Sequence, residues 1–264
     1  MKISDIIHYP VKSLAGNRLQ VSEVDNRGLK DDRRLMLIDE NNSFVSQRTY
    51  PLLSQIEAGI TEDFIILHDR RNDQMIKHPF ELELQKTTVK IWGENETAHQ
   101  FVNKQMDEWI SEHIGGKLRF VYMDESDHRQ INPEYAEKDE LVSFADGYPI
   151  LIATTASLAA FNSTLSSAIS IDHFRPNIVI ENDIPWEEDN WNRIRIGEVV
   201  IRIAKPCARC IVTNIDPKTG VSENKVLVGL GKIRLVDNKV LFGVNAIAEK
   251  MGTIKVGDKV ELIA

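Results

Sequence analysis

The run Lys205-Pro206-Cys207-Ala208-Arg209-Cys210 holds the only two cysteines in 264 residues, in CxxC spacing and interleaved with two fixed cations. A thiolate is both the nucleophile and the metal ligand, and a neighbouring Lys or Arg favours it electrostatically. The surroundings separate several uses of such a pair. A thioredoxin-like redox motif opens a helix, whose N-terminal amides assist the thiolate; Cys210 instead runs into Ile211-Val212-Thr213-Asn214-Ile215, a β-branched segment that favours strand. A structural zinc site takes four ligands, yet there is no second cysteine pair and the seven histidines are scattered. A structural disulfide belongs to an oxidising compartment, which a chain without a secretory leader is not expected to enter. Spacing alone leaves open two small buried hydrophobes, a one-thiolate metal or cofactor site, and thiol–disulfide exchange.

The elements that must position this pair are mostly short strands. Alternating or compact apolar runs predict them at 3–8, 34–38, 64–68, 88–92, 118–123, 177–181, 194–203, 210–215, 233–236, 239–242 and 254–263. Gly-acid pairs at Gly93-Glu94, Gly197-Glu198 and Gly257-Asp258 mark tight hairpin turns. Helices are few. Residues 101–113 put Phe101, Val102, Met106, Trp109, Ile110 and His113 on one face, and Gly115-Gly116 stops the helix. A second helix starts from Thr154 as N-cap and turns Leu158, Phe161 and Leu165 inward, and a short third one is predicted over 244–250. His113 reads as a partner of the helix C-terminus rather than a ligand. Asp216-Pro217-Lys218-Thr219-Gly220 reads as a turn rather than as the seat of a catalytic acid. The charged, aperiodic stretch 124–140 reads as a surface loop, and a domain boundary is placed at about residue 120.

Composition narrows the class. With 42% hydrophobic and 27% charged residues the chain is globular, with one large core or two modest ones. Its start lacks a long apolar leader and nowhere do 18 apolar residues run together, so the expectation is a cytoplasmic protein without a membrane span. A net charge of -8 argues against broad nucleic-acid binding, so an anionic ligand must be met by a few local cations.

Several blocks in order carry a resemblance. Ile7-His8-Tyr9-Pro10-Val11-Lys12-Ser13, Gly28-Leu29 and Asp32-Arg33-Arg34-Leu35-Met36 come first. Phe174-Arg175-Pro176-Asn177-Ile178-Val179-Ile180, Cys207-Ala208-Arg209-Cys210, Asp216 to Gly220, and Gly252-Thr253-Ile254-Lys255-Val256-Gly257-Asp258 follow. Together they resemble the MOSC family, and within it the two-part proteins similar to the mitochondrial amidoxime reducing component. The resemblance implies a mainly β fold: a smaller β-rich N-terminal domain over 1–120 and a MOSC β-barrel domain with a few helices over 121–264. It implies a molybdenum cofactor, in which a pterin dithiolene and one protein thiolate, here Cys210, hold the metal; soft thiolates suit such a metal. It assigns Lys12, Ser13, Arg33, Arg175 and Arg209 to the pterin and its phosphate, for which arginine forks and a lysine point charge are apt donors. Cys207 is then a neighbour of the ligand or simply buried.

The implied activity is reduction of small N-hydroxylated compounds such as amidoximes, hydroxylamines and hydroxylated nucleobases. Electrons come from a separate flavin or iron–sulfur protein, since no further cysteines are present to hold a cluster. A non-catalytic cofactor or sulfur carrier using Cys210 is the alternative, and a Cys207–Cys210 thiol pair a further one. The chain departs from the animal relatives at Gly147-Tyr148, where they carry a Thr-Ser pair, and at Asn245, where they carry an aromatic residue.

Overall fold

The longest strand, Lys239–Lys250, is bonded along one edge to Val199–Ala208 and along the other to Ile150–Thr154. In the computed structural model, which describes residues 1–61, 63–80, 84–101 and 103–263, these three strands sit centrally in a nine-stranded sheet. The order runs Val260–Ile263, Arg193–Ile196, Val199–Ala208, Lys239–Lys250, Ile150–Thr154, Ile178–Glu181, Lys2–His8 and Asn17–Leu19, with Leu235–Val236 added to Lys239–Lys250. Backbone bonds from Ile3 N to Asp258 O (2.9 Å), Gly257 N to Ile3 O (2.9 Å) and Val260 N to Met1 O (3.0 Å) bring the path back on itself. The ring so formed encloses Ile3, Ile6, Ile152, Ile178, Ile194, Ile201 and Val244. Alternation explains who points where: in Arg193–Ile196 the two isoleucines are buried and the arginines are not. The one parallel pair in this sheet, Ile150–Thr154 with Ile178–Glu181, is joined through the helix Thr155–Asn162, because parallel strands need a crossover.

The remaining strands gather mostly from the first half of the chain. Leu35–Ile38, Arg119–Tyr122, Glu94–Phe101 and Leu84–Ile91 form one sheet, and Ile56–Ile60, Phe64–Asp69 and Gln74–Pro79 another. The helix Lys104–Ile114 lays Met106, Ile110 and Ile114 against Leu53, Leu67, Phe101 and Phe120. Asn103 caps its start by accepting from Met106 N, and Gly115 ends it in the left-handed region at φ 84°. Val102, expected on this helix face, lies outside the described residues. A third, small sheet joins Val21–Asp25 and Gly28–Leu29 to Gly252–Lys255. The fold is mainly β, as expected, with three α-helices among the described residues.

Three local expectations fail for one reason, which is that tertiary pairing overrides local preference. Residues 210–215 are not strand: Ile211–Asn214 form a 3-10 turn. Residues 244–250 are not helix despite two alanines, Glu249 and Lys250, because they lie in Lys239–Lys250 between two strand partners. Val226–Arg234 is a helix in spite of two glycines, and it buries Val226 and Leu230, four apart, beside Phe161, Phe174 and Phe242. It takes up half of the strand expected over 233–236, of which Leu235–Val236 remains. The turns at Gly93 and Gly197 are hairpins, whereas Gly257 links strands of two different sheets.

Gly243 sits where Lys239–Lys250 passes closest to its neighbour. Its φ is +68°, and a Cβ there would lie 2.5 Å from the Ile152 carbonyl oxygen. Gly243→Ala therefore meets both a strained backbone and a backbone clash. Urea unfolding should show a loss of about 2 kcal/mol or more; a change within about 0.5 kcal/mol, the range of an ordinary surface substitution, would contradict this packing.

Candidate functional site

The strand Lys2–His8 leads into a loop whose backbone is zipped to the segment 32–35. Tyr9 N donates to Asp32 Oδ1 (2.8 Å), Arg33 N to Tyr9 O (2.7 Å) and Lys12 N to Leu35 O (2.8 Å). Residues 143 and 144 fasten the same segment from the other side, through Ser143 Oγ to Asp32 O (2.7 Å) and Phe144 N to Arg33 O (3.0 Å). Three non-glycine residues around the site are on left-handed backbone, Ser13 at φ 72° and Arg33 at 51° within these segments and Arg175 at 54°, whose N donates to Asp172 O (3.2 Å) and whose carbonyl accepts from Arg33 Nη2 (3.4 Å). Such conformations cost roughly 1–3 kcal/mol each and persist only where the surroundings enforce them. Arg175 is doubly unusual because it precedes Pro176, and a following proline disfavours helical dihedrals.

The loops surround a cavity. All six residues expected at the site, Lys12, Ser13, Arg33, Arg175, Arg209 and Cys210, line it, together with Cys207, Gln47, Arg48, Asp146, Asn177 and others. Five cations and one carboxylate, Asp146, therefore face a common space in a chain of net charge -8. Gly147, Tyr148 and Asn245 are also in the wall.

Each cation is anchored differently. Arg33 pairs with Asp32 and donates to Asn177 Oδ1 (3.1 Å) and Arg175 O (3.4 Å). Burial works to lower its pKa, and Asp32 more than offsets this, so it is raised. Arg33 and Arg175 each place the guanidinium 4.3 Å from the Tyr9 ring centroid. Burial pushes the Tyr9 phenol up to about 12, which keeps it neutral. Lys12 is buried, donating to Phe144 O (2.7 Å) and pairing with Asp146 (2.5 Å). Burial lowers its pKa, and Asp146 opposes that. The Asp146 side chain is 67% exposed at the cavity mouth; crowding by protein atoms favours its protonated form, but Lys12 and then Arg48 and Arg33 outweigh that and bring its pKa down to about 2. Burial, with Arg33 adding to it, lowers Arg175 to about 10, still charged at neutral pH.

Both thiols are free and half-buried. Cys207 lies near the end of Val199–Ala208, and its sulfur accepts from Arg209 Nη1 (3.0 Å). Cys210 heads the 3-10 turn, where its carbonyl accepts from Thr213 N (3.1 Å) and Thr213 Oγ1 (2.9 Å); its sulfur accepts from Arg48 Nη2 (3.2 Å). Arg48 is in turn stacked on Trp92, 4.5 Å from the ring centroid. Sequence reading passed over Arg48, Gln47 and Asp146, which no local pattern marks. Tyr9 and Asn177 lay inside the blocks that carried the resemblance, without a role attached. The Asp216 turn is as expected: Asp216 Oδ1 accepts from Lys218 N (2.7 Å) and Thr219 N (3.2 Å), and Gly220 has φ 72°. His113 Nδ1 donates to Trp109 O (2.8 Å) within its own helix, away from this cavity.

The donor set fits a pterin with a phosphate and a thiophilic metal. The Arg209 Nε is buried without a hydrogen-bond partner, and the Arg175 side chain makes no hydrogen bond or ion pair among the described residues. A buried donor left unpaired, as at Arg209 Nε, calls for an acceptor. No group of three or more His, Cys, Asp or Glu side chains is placed to hold a metal among the described residues, so a metal here would draw most of its ligands from a bound group. No helix of the described residues is long and apolar enough to cross a membrane.

The MOSC N-terminal beta barrel domain matches residues 1–117 and the MOSC domain matches residues 139–261. Mitochondrial amidoxime-reducing component 1 of Homo sapiens is 31% identical over 279 residues, covering 97% of this chain and 81% of the relative. Mitochondrial amidoxime reducing component 2 of Bos taurus is 29% identical over 276 residues, covering 98% and 82%. The cytoplasmic placement expected from the lack of an apolar leader does not stand, because these relatives are named for the mitochondrion and a missing leader is no address in itself. With both domain matches in order and a relative above 30% identity along nearly its whole length, this chain belongs to the two-part MOSC family that includes the mitochondrial amidoxime reducing components.

Proposed function

We propose that this protein reduces N-hydroxylated compounds, with a molybdenum cofactor in the cavity and Cys210 as the protein's ligand to the metal. The observation that carries the reading is the convergence of both thiols and five cations on one cavity. In it, residues 1–120 and 121–264 are the two parts, and the wall draws on both: Lys12, Arg33 and Arg48 from the first, Arg175, Arg209 and the cysteines from the second. When bound, the cofactor supplies a two-electron couple at a metal able to take oxygen from an N–OH group.

The chain's own residues bind and orient. Arg33 and Arg175, splayed over the neutral Tyr9 ring, present guanidinium forks to the cofactor's anionic end, with Lys12 and Ser13 beside them. Arg209 braces both the Cys207 sulfur and the Phe174 carbonyl (2.7 Å), so the cysteine segment and the Arg175 segment keep one spacing. Arg48 lies against the Cys210 sulfur and balances thiolate charge there, as groups bonded to a ligand atom do. The electron donor is a separate flavin or iron–sulfur protein, and the substrate that is reduced is a small molecule.

Metal analysis of protein purified from a cofactor-competent host tests the ligand. Cys210→Ser should lose molybdenum and activity with its fold intact, while Cys207→Ser keeps most of both. Equal loss from the two would replace this reading with a thiol-pair one. Arg48→Ala should weaken metal retention or turnover by about 10-fold or more; wild-type molybdenum content together with wild-type turnover would show that Arg48 is a bystander.

The Lys12–Asp146 pair gives a pH signature. Because the Asp146 pKa is depressed to about 2, its stabilisation is present above the unfolded value, near 4, and is lost as pH falls through about 2. Asp146→Asn should therefore flatten that part of the acid unfolding curve. An acid limb identical to wild type would contradict the pairing.

A further inference from the structure

Trp92 stands at the tip of the two-residue hairpin that joins Leu84–Ile91 to Glu94–Phe101, where Ile91 faces Glu94. Trp92 and Gly93 both have positive φ, 54° and 89°, the pattern of a type I′ turn, which favours Asn-Gly or Asp-Gly. A bulky aromatic residue in the left-handed region is an outlier, so the turn itself does not call for tryptophan. Nor does a core, since Trp92 is 47% exposed.

What the ring touches supplies the reason. Its centroid lies 4.7 Å from that of Phe44, and the Arg48 guanidinium lies 4.5 Å from it. Phe44 N donates to Lys90 O (3.0 Å) and Lys90 N to Asn42 O (2.8 Å), so the Phe44 loop is stitched to the same hairpin. Arg48 is exposed, and among the described residues its guanidinium has no ion pair and one hydrogen bond, from Nη2 to the Cys210 sulfur (3.2 Å). An exposed arginine has much rotamer freedom to lose, and with no carboxylate to hold it the ring decides where its charge rests. We infer that Trp92 is a positioning residue for the Cys210 sulfur: through Arg48 it keeps a charged donor on that atom, and the strained turn is retained for that purpose. This rests on the reading of Cys210 as the metal ligand and adds to it a residue of the first half of the chain.

Trp92→Asn is the discriminating variant, because asparagine suits the turn and carries no ring. Relief of the left-handed strain offsets the lost Phe44 contact, and the thermal unfolding midpoint should stay within about 3 °C of wild type. Cofactor-loaded Trp92→Asn should nevertheless show about threefold or more of the Arg48→Ala defect in molybdenum retention on dialysis or in turnover, the worth of an exposed cation–π contact, and Trp92→Tyr should recover most of it. The double variant Trp92→Asn/Arg48→Ala should be no worse than Arg48→Ala alone, since both act through one contact. Wild-type retention and turnover in Trp92→Asn, a defect accompanied by a larger fall in the midpoint, or losses that multiply in the double variant would each overturn the inference. Should wild type bind no molybdenum, the ligand reading itself fails, and crystal structures of the metal-free proteins decide the positioning separately. Arg48 on the Cys210 sulfur in wild type and displaced from it in Trp92→Asn supports it; any other pair of positions removes it.

Discussion

Five cations facing one cavity with a single carboxylate among them is the constraint on which the rest of this structure depends. At an effective dielectric near 20, two like charges about 6 Å apart repel by about 3 kcal/mol, so an arrangement of this kind does not assemble by itself. The fold holds it by backbone bonding and by two counter-charges, Asp32 on Arg33 and Asp146 on Lys12: the Tyr9–Ser13 loop, the Asp32–Leu35 segment and residues 143 and 144 are laced together, and Tyr9 offers its ring to two guanidinium groups at once. Left-handed backbone at Ser13 and Arg33 is the visible cost of that lacing. Stability is spent on a positive cavity, and an anionic occupant returns it.

The barrel explains why the cysteines are where they are. Val199–Ala208 is paired with Arg193–Ile196 over 199–202 and with Lys239–Lys250 as far as Ala208, and a register shift between Pro206 and Ala208 loosens the chain there. Cys207 thus sits on a strand that is still constrained, and Cys210 on a turn that has just left it. Arg209 lies between them and reaches back to the Arg175 segment. Sulfur, guanidinium and the 3-10 turn are consequences of one strand ending at one place.

Much of the fold was legible because local signals agreed with the tertiary outcome. Thr154 as an N-cap, Gly115 as a helix stop and the alternation around Ile194 each carry their own mechanism, and each acts within a few residues. Val226–Arg234 and the end of Lys239–Lys250 were not legible, since their states are decided by neighbours distant in sequence. The site divides in the same way. Lys12, Arg33, Arg175, Arg209 and Cys210 stand in contiguous blocks whose order is distinctive, and the structure gathers them. Arg48 meets Cys210 across 162 residues of chain, in a loop whose composition announces nothing, so only the folded molecule brings it into view.

The account turns on a bond between the Cys210 sulfur and molybdenum. X-ray absorption at the molybdenum edge of cofactor-loaded protein measures that bond directly. Wild type should show one more sulfur ligand than the pterin dithiolene supplies, and Cys210→Ser, if loaded at all, should lack it. A wild-type spectrum with dithiolene sulfur alone would contradict the account, whatever the activity of the sample.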